Sequence, residues 1–92
     1  MSPASLLELQ LLLESGRLAL RGRRLNEVSG DPRWRLDEPP AGRWFDLASE
    51  VGWTRDPFDR LVVAHARTRG WVLATGDTSL LSHLRPSEVL PL

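Results

Sequence analysis

The sequence contains no cysteine, no lysine, no net charge and no long apolar run. Without cysteine, neither a disulfide framework nor a thiolate metal site can form, and the chain is compatible with a reducing cytoplasm. Its apolar runs are too short to span a bilayer, and its amino terminus lacks the pattern of a signal peptide, a basic region followed by an apolar core. Twelve basic and twelve acidic residues cancel, so net charge does not favour nucleic acid. We expect a small cytoplasmic protein with no membrane segment.

All of the basic residues are arginine, and some of them lie close together in the sequence. Arginine can make paired hydrogen bonds to phosphate or carboxylate groups. The arginine cluster consists of Arg17, Arg21, Arg23 and Arg24. It is either a contact for RNA or a partner protein, or a solvated linker, and the sequence leaves both interpretations open.

A well-specified helix begins after residue 55. Asp56 followed by Pro57 predicts an N-cap with proline at the first helical position, which places Asp59 at the third position. Gly70 is typical of a helix end. For Asp59 the alternative to a functional role is an acid favoured by the helix dipole, and Asp56 is more readily explained as a cap than as a ligand.

A short apolar run over residues 71–75 predicts a buried parallel strand. Asp77 then lies just beyond the carboxyl end of that strand, the edge of an open α/β sheet at which ligands bind. The alternative for Asp77 is an ordinary turn residue after Gly76.

The first predicted helix is rich in leucine. Ser2 caps it, Pro3 takes its first position, and Ser15 and Gly16 end it. Because the helix is apolar around most of its circumference, we expect it to be buried on more than one side. Glu8 is the exception, and a carboxylate there should reach a solvent-filled cleft or have a cationic partner.

The remaining predicted elements complete an α/β pattern with a parallel sheet in one domain over residues 1–92. They are a helical turn or two over 25–31, a strand over 34–37, a helix over 41–51, a short helix over 78–84 and a terminal strand or tail over 89–92. Three predicted strands are few for an independent sheet, which suggests that part of the fold is missing or is supplied by a partner.

Three motifs occur in order along the chain: SPASLLEL (2–9), RDPFDRLVVA (55–64) and LATGD (73–77). Together they resemble PIN-domain ribonucleases, and most closely the VapC-type toxins of bacterial toxin–antitoxin pairs. The resemblance covers nearly the whole chain. It implies a PIN-like, Rossmannoid parallel sheet flanked by helices and a Mg²⁺- or Mn²⁺-dependent endoribonuclease.

The resemblance also implies roles for individual residues. Glu8, Asp59 and Asp77 correspond to catalytic, metal-binding acids, while Asp56 and Thr75 correspond to residues beside the metal. The implied partners are RNA, an antitoxin protein and a second copy of the chain. Arg55 and the arginine cluster are candidates for contacts with RNA or with the antitoxin.

One feature departs from the family pattern. Members begin with a strand that carries the first metal-binding aspartate, whereas no aspartate precedes Asp31 in this sequence. We therefore expect a partial PIN-like domain, incomplete at its amino terminus, with weak metal binding and impaired ribonuclease activity. The alternative is a catalytically inactive remnant that binds an antitoxin or itself. A third hypothesis is an unrelated α/β interaction domain, in which the acids would lie far apart.

The histidines and tryptophans carry weaker predictions. His65 and His83 are interpreted as packed or surface residues, and we assign them no catalytic role. In so small a domain, most tryptophans should fill the core. We expect this of Trp34, Trp44 and Trp71, whereas Trp53, in the loop before Arg55, is a plausible surface contact for RNA bases.

Overall fold

The computed structural model describes residues 1–16, 30, 32 and 35–92. The chain divides into two compact units, Met1–Glu38 and Pro39–Leu92. The arginine cluster, Trp34 and most of the helical turn predicted over 25–31 lie outside the described residues. Within the described residues, no helix is long and apolar enough to cross a membrane.

The first unit contains helix α1 (Pro3–Glu14), which begins and ends as predicted. The Ser2 hydroxyl accepts a hydrogen bond from the Ala4 amide at 3.2 Å, and Gly16 follows the helix with a positive φ of 75°. The predicted burial on several sides is wrong, because Ala4 is the only buried residue of α1. Leu7 and Leu11 are exposed, and the other leucines of α1 are half-buried.

The strand predicted over 34–37 is also absent from the part of that segment that is described. Residues 35–37 instead bond to the amino terminus. The Met1 ammonium group donates to the Arg35 carbonyl at 2.7 Å, and the Asp37 amide donates to the Met1 carbonyl at 2.9 Å. An alternation of apolar and charged residues is compatible with a strand but does not enforce one, because strand formation depends on context.

In the second unit, helices α2 (Ala41–Glu50) and α3 (Pro57–Arg69) pack on each other. Trp44 of α2 is buried, as predicted, and its indole Nε1 donates to the Leu61 carbonyl of α3 at 2.7 Å. The Trp44 ring also meets the buried His65 ring edge-on, with centroids 5.4 Å apart. These contacts fix α3 against α2.

The sheet follows α3. Strand β1 (Leu73–Thr75) leads through helix α4 (Thr78–His83) and a 3₁₀ turn (Pro86–Glu88) to strand β2 (Val89–Pro91). The two strands pair in parallel, with Leu73 opposite Val89, so the predicted parallel pairing is confirmed. Helices with a small parallel sheet confirm the predicted α/β class.

The burial predicted for the strand over 71–75 is wrong. Trp71 and Val72, expected to begin the strand, precede it and are 50% and 59% exposed. Within the described residues β1 pairs with β2 alone, and its side chains alternate between half-buried and exposed. A strand without layers on both faces needs only one apolar face. Trp71 is therefore not a core residue, although its ring stacks on buried His65.

The core of this unit is a cluster formed by Val51, Val63, Leu80 and Leu84. Trp53, Leu73 and Val89 pack against the core cluster from its edges. Since the cluster joins α3, α4 and both strands, it fixes the start of α3 relative to the end of β1. Asp56 and Asp59 lie at the first of these positions, and Asp77 lies at the second.

Candidate functional site

The start of α3 is built around the Asp56 side chain. Its Oδ1 accepts hydrogen bonds from the amides of Phe58, at 2.8 Å, and Asp59, at 3.4 Å, which confirms the predicted N-cap. The loop before it is tied down as well, because Thr54 Oγ1 accepts from the Asp56 amide at 3.2 Å. The Thr54 carbonyl accepts from Arg60 Nε at 2.7 Å. The Asp56 carboxylate is therefore held in a fixed position.

Asp59 lies in the first turn of α3 with its side chain half-buried. Carboxylate oxygens of Asp56 and Asp59 lie within 4.8 Å of each other. Burial raises the pKa of the Asp59 carboxyl above its usual value, and the negative charges of Asp56 and Asp77 raise this pKa further. The ionised form of Asp59 is thus disfavoured in the folded chain, and a nearby cation would stabilise it.

Asp77 starts α4 in the same way that Asp56 starts α3. Its Oδ1 accepts from the amides of Ser79, at 2.8 Å, and Leu80, at 3.1 Å. Thr75 Oγ1 accepts from the Asp77 amide at 3.1 Å. Asp77 is therefore an N-cap, not only a turn residue after Gly76, and the hydroxyl of Thr75 fixes the backbone that carries it.

The sequence of the chain matches a known family. The PIN domain family matches residues 1–85. The chain is a PIN domain. No curated protein and no solved structure matches it. PIN domains are in general nucleases that use divalent metal ions, and they generally bind RNA.

Within this PIN domain the predicted site residues fall into three groups. Asp56 and Asp59 form a close pair. Asp77 does not join that pair within 4.8 Å among the described residues, but its charge acts on the Asp59 carboxyl. Glu8 lies half-buried on α1, in the other unit, so its role as a further acid stays a prediction.

The predicted arginine contacts with RNA or an antitoxin stay predictions from the sequence. Arg55 is exposed at the start of α3, and the arginine cluster lies outside the described residues. From the sequence we interpreted Asp56 mainly as a cap and did not predict its close approach to Asp59. The spacing between an N-cap and the third helical position places two side chains on the same turn, and this spacing was a signal for the pair that Asp56 forms with Asp59.

The donor set suits a hard cation. The close pair offers carboxylate oxygens alone, which Mg²⁺ and Mn²⁺ prefer over nitrogen or sulfur. The cap bonds of Asp56 and Asp77 use Oδ1 of each residue. Capping therefore still leaves Oδ2 of each carboxylate as a possible ligand atom.

Proposed function

We propose that this PIN domain is a VapC-type toxin, a cytoplasmic Mg²⁺-dependent endoribonuclease restrained by an antitoxin. The close pair of Asp56 and Asp59 carries the proposal, because their carboxylate oxygens lie within 4.8 Å of each other at the start of α3. Burial and the charges of Asp56 and Asp77 also raise the pKa of Asp59. A fold gains no stability from holding like charges together. Such an arrangement is characteristic of sites that bind cations or perform catalysis.

In this proposal Asp59 and Asp77 are metal ligands, Asp56 lies beside them, and Glu8 is a further acid by family resemblance. A bound Mg²⁺ would supply Lewis-acid polarisation of a phosphodiester and of an attacking water. The chain's own contribution is orientation. The caps at Asp56 and Asp77, with Thr75 behind Asp77, fix the carboxylates before any ligand arrives, which reduces the cost of ordering the site.

The antitoxin contact is proposed for α1. Leu7 and Leu11 are 54% and 43% exposed, and their spacing places them on one face of this helix. An exposed leucine stripe suits an apolar helix of a partner or a second copy of this chain. The alternative function, an inactive remnant that only binds a partner or itself, would use the same stripe. The two functions differ in whether the aspartates hold a metal ion.

Cleavage of single-stranded RNA in the presence and absence of Mg²⁺ tests the proposal. We expect slow, Mg²⁺-dependent cleavage by the wild-type chain. Asp59→Asn should reduce the rate by about 10²-fold or more, the usual effect of removing one electrostatic group from an active site. Asp46→Asn is the matched control, since Asp46 is exposed on α2 and should leave the rate unchanged.

Calorimetric titration with Mn²⁺ separates the two functions. Metal binding that Asp59→Asn abolishes, together with cleavage, supports the ribonuclease. If neither Mn²⁺ binding nor cleavage is detected while the chain still binds a partner or itself, the inactive remnant is correct. Cleavage that is unaffected by chelators or by Asp59→Asn would contradict the proposed site.

A further inference from the structure

A pair of stacked aromatic rings joins the loop before α3 to the end of α4, and it is not part of the acidic site described above. The rings of Trp53 and His83 are stacked, with centroids 4.5 Å apart and planes only 1° from parallel. Trp53 is half-buried and packs against the core cluster. The ring next to the core is therefore fixed, and the histidine ring lies on it.

A hydrogen bond also fixes the orientation of the His83 ring. Nδ1 lies 2.8 Å from the Ser79 carbonyl oxygen and 3.1 Å from Ser82 Oγ, and these contacts hold that edge of the ring against α4. His83 is exposed although one of its faces lies on Trp53. Its exposed surface therefore consists of its other face and the ring edge, held flat in one position.

The ring pair lies close in sequence to both acid-bearing turns. Trp53 precedes Asp56 by three residues, which limits their Cα separation to about 11 Å. His83 follows Asp77 by six residues within α4, a rise of about 9 Å along the helix axis. Arg55 is exposed between Trp53 and Asp56. A bound strand that reaches the acids would therefore pass near these rings.

We propose that the outer face of His83, supported by Trp53, is a platform on which an unpaired base of single-stranded RNA stacks. Arg55 binds a phosphate of the same strand through its guanidinium group. Flat aromatic rings accept any base, because every base has a π-face, so the platform selects unpaired over paired RNA and not one sequence. This inference rests on the proposed function, since it names the substrate class of that site.

Binding of a fluorescent, short single-stranded oligoadenylate tests the platform, with Ca²⁺ replacing Mg²⁺ to limit cleavage. We expect His83→Ala to weaken binding about tenfold, within the range of one base–aromatic stack. His83→Phe should retain most of the wild-type affinity, because its ring can still stack on Trp53 although the contact of Nδ1 with the Ser79 carbonyl is lost. The matched control is Phe45→Ala, which removes an exposed aromatic ring from α2 and should not change affinity.

Abasic nucleotides test the platform in the wild-type chain itself. Placed one at a time along the oligonucleotide, they should weaken wild-type binding at one position, by the same factor as His83→Ala weakens binding of the intact oligonucleotide. That position should have no effect on the His83→Ala variant, and His83→Ala should not change the affinity for duplex RNA. Unchanged affinity in His83→Ala, or His83→Phe binding as weakly as His83→Ala, would overturn the platform.

The platform and the ribonuclease can fail separately. If the wild-type chain does not cleave RNA but His83→Ala still weakens oligoadenylate binding, the ribonuclease is wrong and the platform stands. If Asp59→Asn abolishes cleavage but His83→Ala leaves the affinity unchanged, the ribonuclease stands and the platform is wrong. A purely structural ring pair would lower the melting temperature of His83→Ala without any dependence on the abasic position.

Discussion

Asp59 and Glu88 occupy the same position at the start of two helical segments, but their surroundings shift the pKa values of the two carboxyls in opposite directions. Each is the third residue of its segment, Asp59 in α3 and Glu88 in the 3₁₀ turn. Glu88 accepts from the Arg85 amide at 3.0 Å and from Arg67 Nε at 3.3 Å. The backbone hydrogen bond, with the arginine contacts, holds the pKa of Glu88 below its usual value.

At Asp59 burial and the carboxylates of Asp56 and Asp77 raise the pKa. The chain thus stabilises the charge of Glu88 and opposes the charge of Asp59. An acid whose charge the fold stabilises is explained by structure, whereas an acid whose charge the fold opposes is a candidate for a functional site. This difference, together with the family match, distinguishes the candidate site from an ordinary helical start.

The largest expected difference between the two acids is in metal-dependent stability. Mn²⁺ at about 100 times its dissociation constant should stabilise the wild-type chain by about 2.7 kcal/mol, because it binds the folded state alone. Asp59→Asn should remove most of this stabilisation, and Glu88→Gln should retain it. Thermal unfolding with and without Mn²⁺ measures both effects.

The contrast between Asp59 and Glu88 would be contradicted if Mn²⁺ stabilised the two variants equally. An equal Mn²⁺-induced rise in melting temperature in Asp59→Asn and wild type would show that the ion binds elsewhere. Asp46→Asn controls for a general loss of negative charge, since Asp46 is an exposed acid of α2.

The second difference concerns what initiates each segment. The start of α3 depends on the Asp56 side chain, whereas at the 3₁₀ turn Glu88 itself bonds back to the backbone. Asp56→Ala should cost about 1 kcal/mol of unfolding free energy, and Asp56→Asn only a few tenths, because asparagine caps nearly as well as aspartate. Urea unfolding measures both variants. An equal loss in the two would mean that the charge of Asp56, not its hydrogen bonds, stabilises the helix.

The helix ends that the structure confirms depend on neighbours in sequence. Asp56, Pro57 and Gly70 specify the ends of α3 through local backbone chemistry, and α1 follows the same rules. Apart from the strand expected over 34–37, the wrong predictions concern burial. Neither the exposure of Trp71 nor that of the α1 leucines is encoded locally, because burial depends on which other elements cover a surface.

The site residues of this unit stay predictions from the sequence motifs. The motifs singled out Asp59 and Asp77, and the structure adds that the charge of Asp77 acts on the Asp59 carboxyl. Glu88 was missed, since the carboxyl-terminal segment was expected only to form a strand or tail. Its pairing with Arg67 joins residues 21 positions apart, which no local pattern indicates. The stack of Trp53 on His83 was missed for the same reason.

The smallest expected difference is in the pH dependence of stability without metal. The pKa of Asp59 is raised on folding, so its ionisation should destabilise the fold progressively as pH rises from about the usual value of 3.8 through the raised pKa. Asp59→Asn should therefore be slightly more stable than wild type at neutral pH. The pKa of Glu88 is lowered, so its contribution is present above about its usual value of 4.5 and is lost as pH falls through the lowered pKa.

Glu88→Gln should consequently be less stable than wild type at neutral pH, by less than about 1 kcal/mol, because its ion pair with Arg67 is partly exposed. Unfolding free energies measured from acidic to neutral pH should show the two variants on opposite sides of wild type, with the differences shrinking at low pH. Asp59 also interacts favourably with the α3 dipole, which asparagine would lose. If Asp59→Asn is the less stable protein at neutral pH, that dipole outweighs burial and repulsion, and Asp59 is then as structural as Glu88.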